Sequence, residues 1–169
     1  MKLGAAALLS MTAGKTFAAL PERRLSFYNI HTGESLDTVY WAEGSYVDES
    51  LAGINHVLRD FRTNEIMAMD RRLLDLLHEL KTTLGSALPF HVISGYRSPA
   101  TNAFLHAHSS GVARHSLHME GQAADVFLPG RSLSNLREVA LDLKKGGVGY
   151  YPRSNFVHVD VGRMRSWQG

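Results

Sequence analysis

Apolar positions recur along this chain with two periods, near two and near 3.6 residues, and the switches between them divide it into strands and helices. Residues 25–30 alternate as a first strand, after a polar stretch over 19–24 that reads as a linker, and the 31–34 segment carries turn chemistry. Asp48 is placed to cap a helix running to about Arg62, with Leu51, Ile54, His56, Val57, Leu58 and Phe61 on a broad apolar face. A second helix is predicted from about Asp70 to Leu84, with Leu73, Leu74, Leu76, Leu77 and Leu80 inward.

Residues 89–94 are apolar and β-branched, and they feed a loop through Gly95, Tyr96, Arg97 and Ser98. A helix is expected to start at Pro99 and to end near Gly111. Residues 122–128 form a strand candidate, 133–145 an amphipathic helix, 146–149 a flexible glycine turn, and 155–161 a closing strand. The irregular order of helices and strands argues for an α+β fold and against a doubly wound parallel sheet.

A chain of 169 residues suits one compact domain, expected over 19–169. Ahead of it, Lys2, the apolar run 3–11 and the small residues around Phe17 read as an export signal over 1–18. That run is too short to span a bilayer, so no stable membrane insertion is expected after processing. The segment contains Lys2 and Lys15 and no acid, so basic and acidic groups balance without it. No polybasic run remains and aromatics do not interleave with Lys or Arg, which argues against nucleic acid as a partner.

Cysteine is absent, which excludes disulfides, thiolate metal sites and a cysteine nucleophile, and leaves nine histidines and sixteen acids as possible metal ligands. Three of these stand out. Along a strand over 122–128, Asp125 shares a face with Ala123, while Ala124, Val126 and Leu128 face the other way. Along 156–161, His158 and Asp160 share one face and Val157, Val159 and Val161 the other. One buried polar residue is ordinarily satisfied by hydrogen bonds. An Asp among apolar residues together with a His-x-Asp among valines is costly to bury unless paired or metal-bound. With His118 entering from a loop that Gly121 permits, two imidazoles and one carboxylate form a ligand set for one tetrahedral Zn²⁺ with a position open for water.

The remaining histidines read as structural. His106 and His108 cannot share a helix face, and His31, His56, His78 and His91 have no obvious partner. His115 reads as a solvated loop residue or as a donor supporting His118.

The run Ser116, His118, Gly121, Ala123 and Asp125, the downstream His158, and the Ser-Gly-Tyr-Arg segment ending at Arg97 resemble the zinc D-Ala-D-Ala peptidases. That group includes vancomycin-resistance dipeptidases, phage endolysin peptidases and the Hedgehog-like fold. The resemblance implies a small, mostly antiparallel sheet with packed helices. It also implies an exported, periplasmic zinc peptidase that opens peptide cross-links in peptidoglycan, with its stem peptides as partner. A carboxypeptidase trimming D-Ala and a non-catalytic zinc-containing peptidoglycan-binding module stand as alternatives. Many relatives carry a Glu three residues before the final His, where this chain has Asn155. Asp160 is then the nearest candidate base, or else a carboxylate orienting His158, with Glu120 a weaker candidate. Arg97 is expected to stabilise a developing oxyanion or to grip a substrate carboxylate.

Overall fold

The structure, a computed structural model, describes residues 21–109 and 111–169, and the export signal expected over 1–18 lies outside them. Among the described residues, eight strands form one sheet: β1 (Arg23–Asn29), β2 (Ser35–Ala42), β3 (Ser45–Tyr46), β4 (Phe90–Ser94), β5 (Ala123–Phe127), β6 (Gly147–Tyr151), β7 (Phe156–Asp160) and β8 (Arg165–Gln168). Their order is β3-β2-β1-β4-β5-β7-β6-β8. The β1–β4 and β6–β8 pairs are parallel and the others antiparallel, so the fold is α+β with a mostly antiparallel sheet.

Among the described residues, four α-helices accompany the sheet: α1 (Asp48–Val57), α2 (Arg71–Thr83), α3 (Pro99–His108) and α4 (Leu133–Leu143). Asp70 caps α2 by accepting from the Arg72 N–H at 2.9 Å, and Ser98 and Ser132 cap α3 and α4 in the same manner. The sheet turns Leu25, Phe27, Phe90, Val92, Val126, Val157 and Val159 inward, against Ile54 of α1, Leu73, Leu74, Leu77 and Leu80 of α2, and Leu136 and Ala140 of α4. Alternation then sends Asp125, His158 and Asp160 to the opposite face.

Three expectations are corrected. The polar 19–24 stretch is not all linker, because Arg23 and Arg24 already belong to β1. Helix α1 stops at Val57 instead of near Arg62, and Val47, not Asp48, occupies its cap position. Beyond it the Asp60 side chain accepts from the Arg62 N–H at 2.9 Å, an Asx turn that competes with helical bonding. The glycine run 146–149 is no flexible turn, since Gly147–Tyr151 is strand β6 between β7 and β8.

Candidate metal centre

Antiparallel pairing of β5 with β7 sets Asp125 directly opposite His158 and Ala123 opposite Asp160. His118 comes from a short 3-10 turn, Leu117–Glu120, which Gly121 closes in the left-handed region at φ 65°. The Asp125 Oδ1 lies 2.8 Å from His158 Nδ1 and 3.3 Å from His118 Nε2, and the two nitrogens are 3.2 Å apart. All three residues are buried, at the floor of a cleft of about 370 Å³.

The far side of each imidazole is already bound. His118 Nδ1 lies 2.7 Å from the Gly95 carbonyl, and His158 Nε2 lies 3.1 Å from Asp160 Oδ2. Each ring turns its outward nitrogen to an acceptor, which leaves the inward nitrogen to bind a metal in place of any proton it carries, the arrangement found around metal-ligating histidines. Bonds of about 2.0–2.1 Å at tetrahedral angles place ligand atoms roughly 3.3 Å apart, so these donors fit a divalent ion such as zinc. Burial pushes the Asp125 carboxyl up, but the two imidazoles outweigh it and hold the group well below the usual carboxylate range. Burial also lowers His118, with Asp125 opposing. His158 moves the other way: burial would lower it, yet the bonds to Asp125 and Asp160 raise it to about 9. The trio is a sink for positive charge.

Asp160 lies behind His158 and is fully buried, not in the cleft. Its Oδ1 accepts from the Gly147 and Gly162 N–H groups, both at 2.9 Å, and Arg165 grips both oxygens at 3.2 and 2.7 Å. Burial pushes this carboxyl up, but His158, the two amides and Arg165 hold it well below the ordinary range. Every one of these contacts holds Asp160 as an anion beside the His158 ring, a geometry that suits orientation and not exchange of protons with the cleft. Glu120 is exposed and does not line the cleft, and Asn155 is an exposed turn residue between β6 and β7. His115 is exposed and does line it.

Arg97 is 8% exposed and lines the cleft, with Nη2 3.7 Å from Asp125 Oδ2. Its Nη1 donates to Asn102 at 3.3 Å, and the Asn102 amide in turn donates to the Ala113 and Arg114 carbonyls, tying the cleft loop to the guanidinium. The Arg97 Nε–H is buried without a partner among the described residues. The backbone here is braced by buried Asp60, whose Oδ2 accepts from the Ser98 N–H at 2.8 Å.

Sequence reasoning missed Asp60, Arg165 and two glycines. A Cβ at Gly147 would collide with the Asp160 carboxylate and the Arg165 guanidinium, and one at Gly149 would come within 2.6 Å of the Trp167 indole. Gly147 therefore makes room for the Arg165–Asp160 pair behind His158, and Gly149 for the Trp167 indole. The available signal was the Arg165-x-Trp167 alternation beside a glycine-alternating strand, legible only once the two are known to pair. The other histidines lie elsewhere: His31, His78, His106 and His108 each bond a backbone carbonyl, His91 sits between the Tyr28 and Phe127 rings, and His56 faces Glu34.

A family model described as peptidoglycan L,D-endopeptidase MepK matches residues 17–167. The chain is 47% identical over 162 residues to the peptidoglycan L,D-endopeptidase MepK of Escherichia coli strain K12, covering 96% of this chain and 89% of that protein. The MepK of Shigella flexneri is similar to the same extent. The probable peptidoglycan L,D-endopeptidase MepK of Haemophilus influenzae is 40% identical over 148 residues, covering 87% and 80% of the two chains.

Proposed function

Since this chain belongs to the peptidoglycan L,D-endopeptidase MepK family, within the zinc D-Ala-D-Ala peptidases, we propose that it is an exported, periplasmic hydrolase of peptide cross-links in peptidoglycan. One zinc ion would be held by His118, Asp125 and His158. The observation that carries this reading is the convergence of three buried donors whose outward atoms are already committed. A bound zinc ion supplies Lewis acidity, lowering the pKa of water toward about 7 and polarising a carbonyl oxygen.

The chain's own residues do the rest. Gly95 and Asp160 fix the two imidazoles in the orientation that presents Nε2 of His118 and Nδ1 of His158. Arg97, already desolvated and with an unpaired N–H, offers a planar cation to a substrate carboxylate or to a developing oxyanion. Asp160 is assigned to positioning His158. His115 and Tyr151 are then the titratable side chains of the cleft that neither bind the metal nor pair with a carboxylate. Among the described residues no helix is long and apolar enough to cross a membrane.

The test is digestion of purified muropeptide dimers, some joined through an L-to-D centre bond and some through a D-to-D bond, with zinc, with a chelator, and with zinc restored. Metal-dependent release of monomers from the L,D dimers is expected. Release of free D-Ala alone would establish the carboxypeptidase alternative, and zinc-dependent binding without cleavage the binding module.

A further inference from the structure

Strand β8 places an aromatic residue in the cleft wall beside the metal donors. Register places Asp125, His158, Gly149 and Trp167 in one row across β5, β7, β6 and β8. The Trp167 indole sits over the bare Gly149 backbone with its centroid 5.1 Å from the His158 ring. Its Nε1–H donates to the Tyr151 hydroxyl at 2.8 Å, and the Arg165 guanidinium lies 5.0 Å from its centroid. Tyr151 stacks in turn on Phe156 at 4.5 Å, and all three aromatics line the cleft.

An aromatic residue in a fold's interior packs its ring on several sides. Here the polar atom of the indole is satisfied within the wall, the ring is braced from behind, and the residue is only half-buried beside the donors. The side chain is therefore rigid before any ligand arrives and offers hydrocarbon surface at little entropic cost. Strand order sets it on one flank of the trio, while Arg97 follows β4 on the other. A ligand crossing the donors meets a cation on one side and an apolar wall on the other.

We propose that Trp167, held by Tyr151, is a specificity-determining residue: its ring receives the aliphatic part of the cross-link residue adjoining the scissile amide, while Arg97 takes an anionic group across the donors. The inference rests on the peptidase reading above, and its own content is the placement of the methylene chain on the indole.

Trp41 and Trp167 are the two tryptophans of the chain, so a Trp41→Phe variant reports Trp167 emission alone. Rapid mixing of this variant with L,D-linked muropeptide dimers is expected to give a saturable emission change before turnover. Trp167→Leu is expected to raise KM roughly tenfold, the scale of one aromatic contact, with kcat, zinc stoichiometry and melting temperature near the parent's, and Trp167→Phe to restore most of the loss. Unchanged KM in Trp167→Leu, or an equal loss of kcat together with zinc, overturns the proposal. If the parent cleaves no dimer, the peptidase reading fails. The emission titration then decides separately: a saturable change still supports the wall, and a flat titration removes it.

Discussion

The His158 ring turns Nε2 toward Asp160 Oδ2 at 3.1 Å, and so presents Nδ1 to Asp125 and His118. Asp160 is itself held by Arg165 and by two backbone amides. This buried carboxylate thus bonds an expected ligand on one side and Arg165 and two amides on the others.

Removing that carboxylate tests the assignment. Asp160→Ala is expected to weaken zinc binding by about 10–100-fold, the usual effect of losing such a support, with Asp160→Asn intermediate. Competition against a chromophoric chelator measures it. At saturating zinc much of the activity is expected to return. Parental zinc affinity combined with lost turnover would instead make Asp160 the base.

Substituting Ala for His118, Asp125 or His158 is expected to abolish both stoichiometric zinc, read by elemental analysis, and dimer cleavage. In the parent, zinc at 100 times its Kd should raise stability by about 2.7 kcal/mol, because it binds only the folded chain. Thermal melts with and without chelator check this. The three variants should lose that increment.

Gly147→Ala places a methyl group against the Asp160 carboxylate and Arg165. An overpacking loss of about 1–3 kcal/mol is expected, accompanied by weaker zinc binding. Gly130→Ala is a useful control for a backbone effect alone: unlike Gly147 it has positive φ, at 76°, and its nearest neighbour is a flexible Leu88 methyl. It should lose stability without losing zinc. Denaturant melts and metal titration on both variants separate the two effects.

Asp75 accepts from Arg23 at 2.8 Å, Tyr40 at 2.8 Å and Tyr46 at 2.9 Å, joining α2 to β1, β2 and β3. Burial pushes its carboxyl up, but the three donors outweigh this and lower it. A folded-state pKa below the unfolded one means that the contribution is complete above the unfolded value of about 3.9 and is lost as pH falls through the folded one. Asp75→Asn is expected to cost about 1.5–3 kcal/mol at pH 7 and less at a pH below about 3.9. Urea midpoints at the two pH values measure the narrowing gap.

Legibility followed burial. Strands β1, β4, β5 and β7 and helices α2 and α4 repeat apolar residues against a common core, so their periods stand out along the chain. Strand β2 buries only Tyr40 fully, β3 has two residues, and β8 alternates half-buried with exposed positions, so none carries a clear apolar period. Strand β6 hides behind glycines that read as a turn until their neighbours are known.

The sequence by itself determined which polar residues share a strand face with no apolar reason to be there, and so proposed Asp125 and His158 as ligands, while His118 was proposed from a loop and Arg97 from the loop after a strand and the family resemblance. Alternation is local, and a short stretch of chain contains it. What the tertiary structure decided is what each of these groups touches: Asp160 behind His158, Arg165 and Gly147 around Asp160, and Trp167 over Gly149. Those relations depend on register between strands distant in sequence, above all on the parallel pairing of β6 with β8, and no local pattern encodes a register.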